Sequence, residues 1–279
     1  IRAELRQHLG DLAQFHQARA QALRDTDSKA AQRDFIVAAR WYERLLEVFP
    51  NDPKASELGG LLADALLESG NTEGAAEQYE KAAFGALSNP DAGYAAVLAY
   101  RKLASEVPTD EQVSAQKKAV AISLKFADAY KTHPQTLAVL TRSAEDHYQL
   151  KNYDEAIAAA ARVVKANAPV DLRRTAWGVV ADAQFTRARY PEAEAAYTEV
   201  LRLSGDAQRA AITEQLAAAI YKQGEALKSK NPRQAALLFL RVGDVAPTAT
   251  IRATADYDAA ALLIAAQDWS GAARVLESF

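Results

Sequence analysis

A pattern that returns seven times limits this chain more than any other feature. It is clearest from Trp177 to Val200, where Trp177, Val180, Ala181 and Gln184 recur at spacings of three and four on one stripe of a helix. A short break at Ala188 to Tyr190 follows. Ala193, Tyr197 and Val200 then form the inner stripe of a second helix. The second-helix signature is a small residue, an aromatic four later, an aliphatic seven later and often a proline twelve later. It recurs as Ala38, Tyr42, Leu45 and Pro50, as Ala75, Tyr79 and Ala82, and as Ala235, Phe239, Val242 and Pro247. Weaker copies are Ile122, Phe126, Ala129 and Pro134; Ala156, Ala160 and Val163; and Ala272 with Leu276. The first residues of the seven copies, 38, 75, 122, 156, 193, 235 and 272, stand 37, 47, 34, 37, 42 and 37 apart.

Helical hairpins explain each position. The small residue belongs where two antiparallel helices cross most closely, and the aromatic fills the gap to the neighbouring unit. The closing proline cannot continue the helix and starts the next turn. Turn signals fall between the units or their helices at Asn51-Asp52-Pro53, Ser69-Gly70-Asn71, Asn89-Pro90-Asp91, Lys151-Asn152 and Asn231-Pro232. The 47-residue gap implies an insertion at Ser105 to Glu111, where Val107-Pro108-Thr109-Asp110 interrupts two helical patterns. One hairpin cannot bury its apolar stripe alone, so stacking is obligatory. The expected units are an N-terminal helix pair over 1–50, then 51–88, 89–134, 135–168, 169–205, 206–247 and a truncated 248–279.

Composition agrees with this reading and removes several function classes. Alanine dominates the chain, and it enters a helix without losing side-chain entropy. The 33 basic and 36 acidic residues give a net charge of −3, without the basic surplus of a nucleic-acid binder. Arg173-Arg174 and Lys117-Lys118 are isolated pairs. No apolar run nears the roughly 18 to 20 residues needed to span a bilayer; the most apolar one, Ala156 to Ala161, is a short helix segment. With no cysteine, neither a disulfide framework nor a thiolate site can form. Because the chain opens on Ile1, has no methionine and stops at Phe279 inside a predicted helix, we expect it to be a piece of a longer protein.

No constellation for catalysis is legible, and no catalytic residue, metal ligand or cofactor is expected. His8 and His16 stand eight apart, which turns them about 80° from each other on a helix and not into a zinc-binding i, i+4 pair. His133 and His147 are read as structural. Gly59-Gly60 reads as close packing of helices and not as a phosphate cradle, and Trp41, Trp177, Trp269 and Tyr197 read as interior packing between units.

These second-helix residues closely resemble the tetratricopeptide repeat (TPR) family over nearly the whole chain, with only Ile1 to about Thr26 unassigned beyond helix. The resemblance implies an all-α, right-handed superhelical solenoid of antiparallel helix pairs, with about seven repeats. It also implies a concave groove lined by first helices that holds a protein or peptide partner. Carried onto this chain, the groove positions are Glu57, Gly60, Asp64 and Leu67; Thr141, Glu145, Tyr148 and Gln149; Thr175, Gly178, Asp182 and Phe185; and Tyr257 with Ile264. Asp64, Glu145 and Asp182 share one groove position. Two readings follow: a mildly acidic, aromatic-edged trough for a basic or mixed peptide, or ordinary solvated residues with the partner on another face. A clamp for a chaperone's C-terminal carboxylate is not expected, because acidic side chains occupy the position that such domains fill with Asn.

The function expected is therefore a non-catalytic interaction scaffold or adaptor with a protein or peptide partner, not a nucleic acid. Turns such as Phe49 to Pro53 are similar in style to bacterial envelope TPR proteins, which implies a periplasmic or envelope setting in assembly, secretion or export machinery. The alternatives are a cytoplasmic regulatory or assembly-factor TPR protein, or the substrate-presenting repeat region of a larger enzyme.

Overall fold

The computed structural model describes residues 1–86 and 88–277. Among them there are fourteen α-helices and no strand. The chain divides into two compact units, Ile1–Val139 and Leu140–Phe279. The expectation that Phe279 lies within a helix falls outside the described residues.

The first unit holds α1 (Arg2–Leu23), α2 (Ser28–Val48), α3 (Ala55–Glu68), α4 (Thr72–Phe84), α5 (Pro90–Glu106) and α6 (Thr109–Ala129). Helix α7 (Thr136–Gln149) runs across the division between the units. The second unit continues with α8 (Tyr153–Lys165), α9 (Val170–Thr186), α10 (Tyr190–Leu203), α11 (Asp206–Leu227), α12 (Pro232–Val245), α13 (Arg252–Ala265) and α14 (Trp269–Glu277). From α1 to α6, and again from α8 to α14, each helix packs on the next one in the chain. Such stepwise packing is that of a solenoid, in which each repeat contacts its neighbours along the chain.

Short polar residues start several of these helices. Asp27, Asn71, Asn89 and Asn231 each accept, on a side-chain oxygen, the backbone N–H three residues on. Each of these bonds satisfies one donor that a helix leaves open at its first turn. Pro90 and Pro232 stand at the first helical position, where the missing N–H costs nothing.

Four of the hairpins close with one turn. Gly70, Lys151, Ala188 and Gln267 all have φ between 56° and 92°, and each stands five residues before the small residue of its second helix. In each, the left-handed residue donates its N–H three residues back, as Ala188 does to Phe185 O at 2.9 Å. The next residue donates five back, as Arg189 does to Gln184 O, also at 2.9 Å. This is the Schellman pattern, which satisfies the last carbonyls of the first helix.

The first residues of the seven copies, six alanines and Ile122, are all buried, with Ala38, Ala75, Ala156, Ala193 and Ala235 fully enclosed. Tyr42, Tyr79, Phe126, Tyr197 and Phe239 are buried one turn further on. In the first unit, α1 is also tied down by charge. Asp34 on α2 is buried, and it accepts from Arg19 Nε at 2.6 Å with His16 Nδ1 3.1 Å away. The Arg19 guanidinium is the main reason that its carboxyl sits at about 2.

Three expectations need correction. No insertion occupies Ser105 to Glu111: only Val107 and Pro108 separate α5 from α6, and they form the hairpin turn. The extra length lies in the helices, 17 and 21 residues against 14 and 13 in α3 and α4. Trp269 is not interior packing but 64% exposed, because no described helix lies over that side of α14. Of the glycine pair only Gly59 is at a close approach, 3.4 Å from Ala82 Cβ for an added methyl; beside Gly60 the space is open.

Candidate partner-binding groove

The site is built on a rule of register. Tyr197 on α10 donates its hydroxyl to Asp182 on α9 at 2.7 Å, and the two stand fifteen residues apart. Tyr79 on α4 donates to Asp64 on α3 across the same interval. Where the aromatic is Phe239, which has no hydroxyl, the residue fifteen back is Gly224, and an added methyl there would meet the ring at 2.5 Å. Where the aromatic position holds Ala160, the residue fifteen back is Glu145, which takes Arg142 Nη1 at 3.3 Å instead. Two of the three acidic residues expected in a groove are therefore held across their hairpins by a tyrosine, and the third by an arginine of its own helix. Burial raises the Asp64 and Asp182 carboxyls above the usual carboxylate range, while the tyrosine hydrogen bonds oppose the shift. Burial and the adjacent carboxylates push both phenols up, so they remain donors.

In the second unit, α9, α10 and α11 with the end of α7 line an open cavity of about 450 Å³. Its lining includes Tyr148, Asp182, Phe185, Tyr197 and Glu214, with Thr186, Gln215 and Ala218 completing it. Tyr148 is braced by the Tyr153 ring at 5.5 Å, and Phe185 meets Tyr190 edge-on at 5.4 Å. Glu214 accepts from the Thr250 N–H at 2.9 Å and from the Thr250 hydroxyl at 2.8 Å. No lysine or arginine is among the lining residues. Rings and carboxylates on one small concave surface can hold a cation by charge and by the π face together.

Of the residues expected to line a groove, Tyr148, Asp182 and Phe185 meet at this cavity. Glu145 and Gln149 on α7 lie outside its lining. Thr141 is 4% exposed, so it belongs to the packed face of α7 and cannot touch a partner there. Tyr257 on α13 is 65% exposed. In the first unit, Glu57 is exposed with Lys54 Nζ at 3.6 Å, and Leu67 packs against the core of α4 to α6. Glu214, Gln215 and Ala218 on α11 escaped the sequence reading. Their signal is faint, because α11 is 22 residues long and rich in alanine on every side.

The histidines lie apart from this site. His8 is exposed, His133 Nε2 is 3.5 Å from Asp91, and neither ring nitrogen of His147 has a hydrogen-bond partner. Among the described residues no group of three His, Cys, Asp or Glu side chains is placed to hold a metal. No described helix is long and apolar enough to cross a membrane.

Comparison with known proteins adds to this geometry. Residues 23–92 and 141–208 match a family model described as tetratricopeptide repeat. No curated protein sequence matches the chain. Among solved structures, a tetratricopeptide repeat protein from Parabacteroides merdae is 15% identical at a TM-score of 0.42, covering 96% of this chain and 92% of that one. The C-terminal part of a TPR repeat-containing protein from Cytophaga hutchinsonii is 14% identical at 0.42, covering 91% and 94%. The structure of Naa15/Naa10 bound to HypK-THB is 13% identical at 0.52, covering 97% of this chain and 36% of that one, and supports the fold. With the family model matched in both units, the chain is a tetratricopeptide repeat protein.

Proposed function

We propose that the chain is a non-catalytic interaction scaffold, and that the cavity of its second unit receives a lysine or arginine side chain of a protein or peptide partner. One observation carries this reading: Asp182, Glu214 and the rings of Tyr148, Phe185 and Tyr197 line one cavity with no cation among them. The Tyr197 hydroxyl occupies Oδ1 of Asp182 and leaves Oδ2 free to accept. Tyr148 and Phe185 add ring surface to which a guanidinium or ammonium is attracted.

Selection of displayed random peptides on the immobilised chain tests it. The expected winners share a basic residue, and Asp182→Asn or Tyr148→Ala weakens their binding about tenfold, roughly 1.4 kcal/mol. Glu145→Gln, outside the cavity, leaves binding unchanged. Winners without a basic residue, or binding indifferent to both cavity variants, would overturn the reading.

The setting we propose is the bacterial envelope, in assembly, secretion or export machinery. It rests on the style of turns such as Phe49 to Pro53. Fractionation of cells expressing the native, tagged protein tests this, and a cytoplasmic pool alone rejects it.

A further inference from the structure

Helices α2, α3 and α4 of the first unit and α8, α9 and α10 of the second follow one register, since Ala38 and Ala75 stand 118 residues before Ala156 and Ala193. Side chains at equal places can therefore be compared one by one. Trp177 on α9 is half-buried and packs against the core of its unit. The first unit has Gly59 in place of Trp177, Ala82 in place of Val200 and Gly85 in place of Leu203. All three line an open cavity of about 480 Å³ between the end of α2, the start of α3 and the end of α4. On α7 a large residue stands at this place too: Leu140, sixteen residues before Ala156 as Trp177 is before Ala193, is buried. The small residues of the first unit forgo the apolar burial that Trp177 and Leu140 provide.

The walls of this cavity are fixed. Pro50 and Pro53 bracket the turn into α3 and line it together with Leu46. Asp52 pins that turn, its Oδ1 accepting the Lys54 N–H at 2.8 Å and Arg6 Nη2 at 3.0 Å. The Ser56 hydroxyl donates to Ala82 O at 2.8 Å and ties α3 to α4. A preformed cavity loses little freedom when it is filled. Among the described lining residues the one cation is Lys81, which is exposed, and the one carboxylate is Asp52, already held by Arg6. The open charge at the rim is therefore positive.

We propose that this cavity receives an aromatic side chain of a partner protein, and that a carboxylate on the residue next to that ring meets Lys81. The ring supplies the apolar contact that Trp177 makes within the second unit. This site is separate from the cation-binding cavity and does not rest on that reading.

Capped dipeptides titrated into the full 279-residue chain test this, with the backbone N–H signals of Gly59 and Gly85 followed by nuclear magnetic resonance. Acetyl-Trp-Glu-amide should shift both signals to saturation, and acetyl-Ala-Glu-amide should leave them in place. Acetyl-Trp-Gln-amide should bind about threefold more weakly, the scale of an exposed charge pair, and Lys81→Gln should remove that difference. An added methyl at Gly59 meets only Ala82 Cβ, at 3.4 Å, so a side chain can start there. Gly59→Trp should raise the melting temperature and abolish the response at Gly85, because the chain's own indole then fills the space. If that variant does not fold, Ala86→Trp, at an exposed position of the lining, should abolish the response in its place. Four results overturn the proposal: glycine signals that ignore the tryptophan peptides, an equal response to the alanine peptide, a response that persists in the blocked variant, or a preference for Glu that survives Lys81→Gln.

Discussion

Tyr197 and Asp182 join the two helices of their hairpin by a hydroxyl-to-carboxylate hydrogen bond of 2.7 Å, fifteen residues apart in the chain. Tyr79 and Asp64 repeat the pairing in the other unit. Tyr197 packs in the core and also lines the cavity of the second unit. A residue that stabilises the hairpin thus also shapes the cavity beside it.

A double-mutant cycle measures this link. Tyr197→Phe and Asp182→Ala, singly and together, should show a coupling of about 1–2 kcal/mol in urea unfolding, in the range for a hydrogen bond to a charged acceptor. Coupling within about 0.3 kcal/mol of zero would mean that the two side chains act independently.

The Schellman turns allow a prediction in the opposite direction. Ala188 holds φ at 56°, a region where a Cβ is crowded and glycine is not. Ala188→Gly should raise stability by about 0.5–1 kcal/mol, even though glycine loses more entropy on folding. Gly70→Ala, at φ 92°, should lower it by at least as much. The melting temperatures of the two variants check this, and a fall for Ala188→Gly would show that strain at this turn is negligible.

Much of the fold was legible because second helices carry a mark that composition cannot blur. Ala193 and Tyr197 stand out in any alanine-rich stretch, and the proline or asparagine turns bracket them. First helices lack such a mark. Spacing from the Ala156 anchor puts Thr141, Glu145 and Tyr148 on one arc of α7, yet Thr141 is buried and Tyr148 borders the cavity. Burial there depends on neighbouring helices, which spacing along one helix does not describe. The same limit hid Glu214, whose place depends on how far the long α11 extends before its pairing with α12 begins. Chain length was misread at Val107-Pro108 for a related reason: a two-residue hairpin turn between long helices and an inserted loop leave the same break in periodicity.

His147 gives the chain a pH dependence with a definite sign. Its two ring nitrogens are buried without hydrogen bonds, and burial lowers its pKa in the folded state, the nearby Glu155 and Asp146 opposing the shift. The unfolded chain therefore takes up the proton first. This group costs no stability above the unfolded value near 6.5, and its cost grows as pH falls from there towards the folded pKa. Unfolding free energies at about pH 7.5 and about pH 5.5, on either side of that value, should differ less in His147→Gln than in the unaltered chain. An equal pH slope in both would remove His147 as the source.

Gly224 sets two effects of similar size against each other. It lies within α11, where replacing glycine by alanine favours the helix by about 1 kcal/mol. An added methyl, however, would stand 2.5 and 2.7 Å from two carbons of the Phe239 ring, and that ring is fully buried with Tyr221 tilted against it at 5.0 Å. Forcing a methyl into a packed core costs about 1–3 kcal/mol. The ring cannot swing aside without opening the α11 to α12 contact, so the steric cost outweighs the gain in propensity. Gly224→Ala should therefore destabilise the chain by about 1 kcal/mol in urea unfolding. With Phe239→Leu as background the clash is relieved, and the same change should become neutral or stabilising. If Gly224→Ala stabilises the unaltered chain, the close approach of α11 to the Phe239 ring is not as the register rule places it.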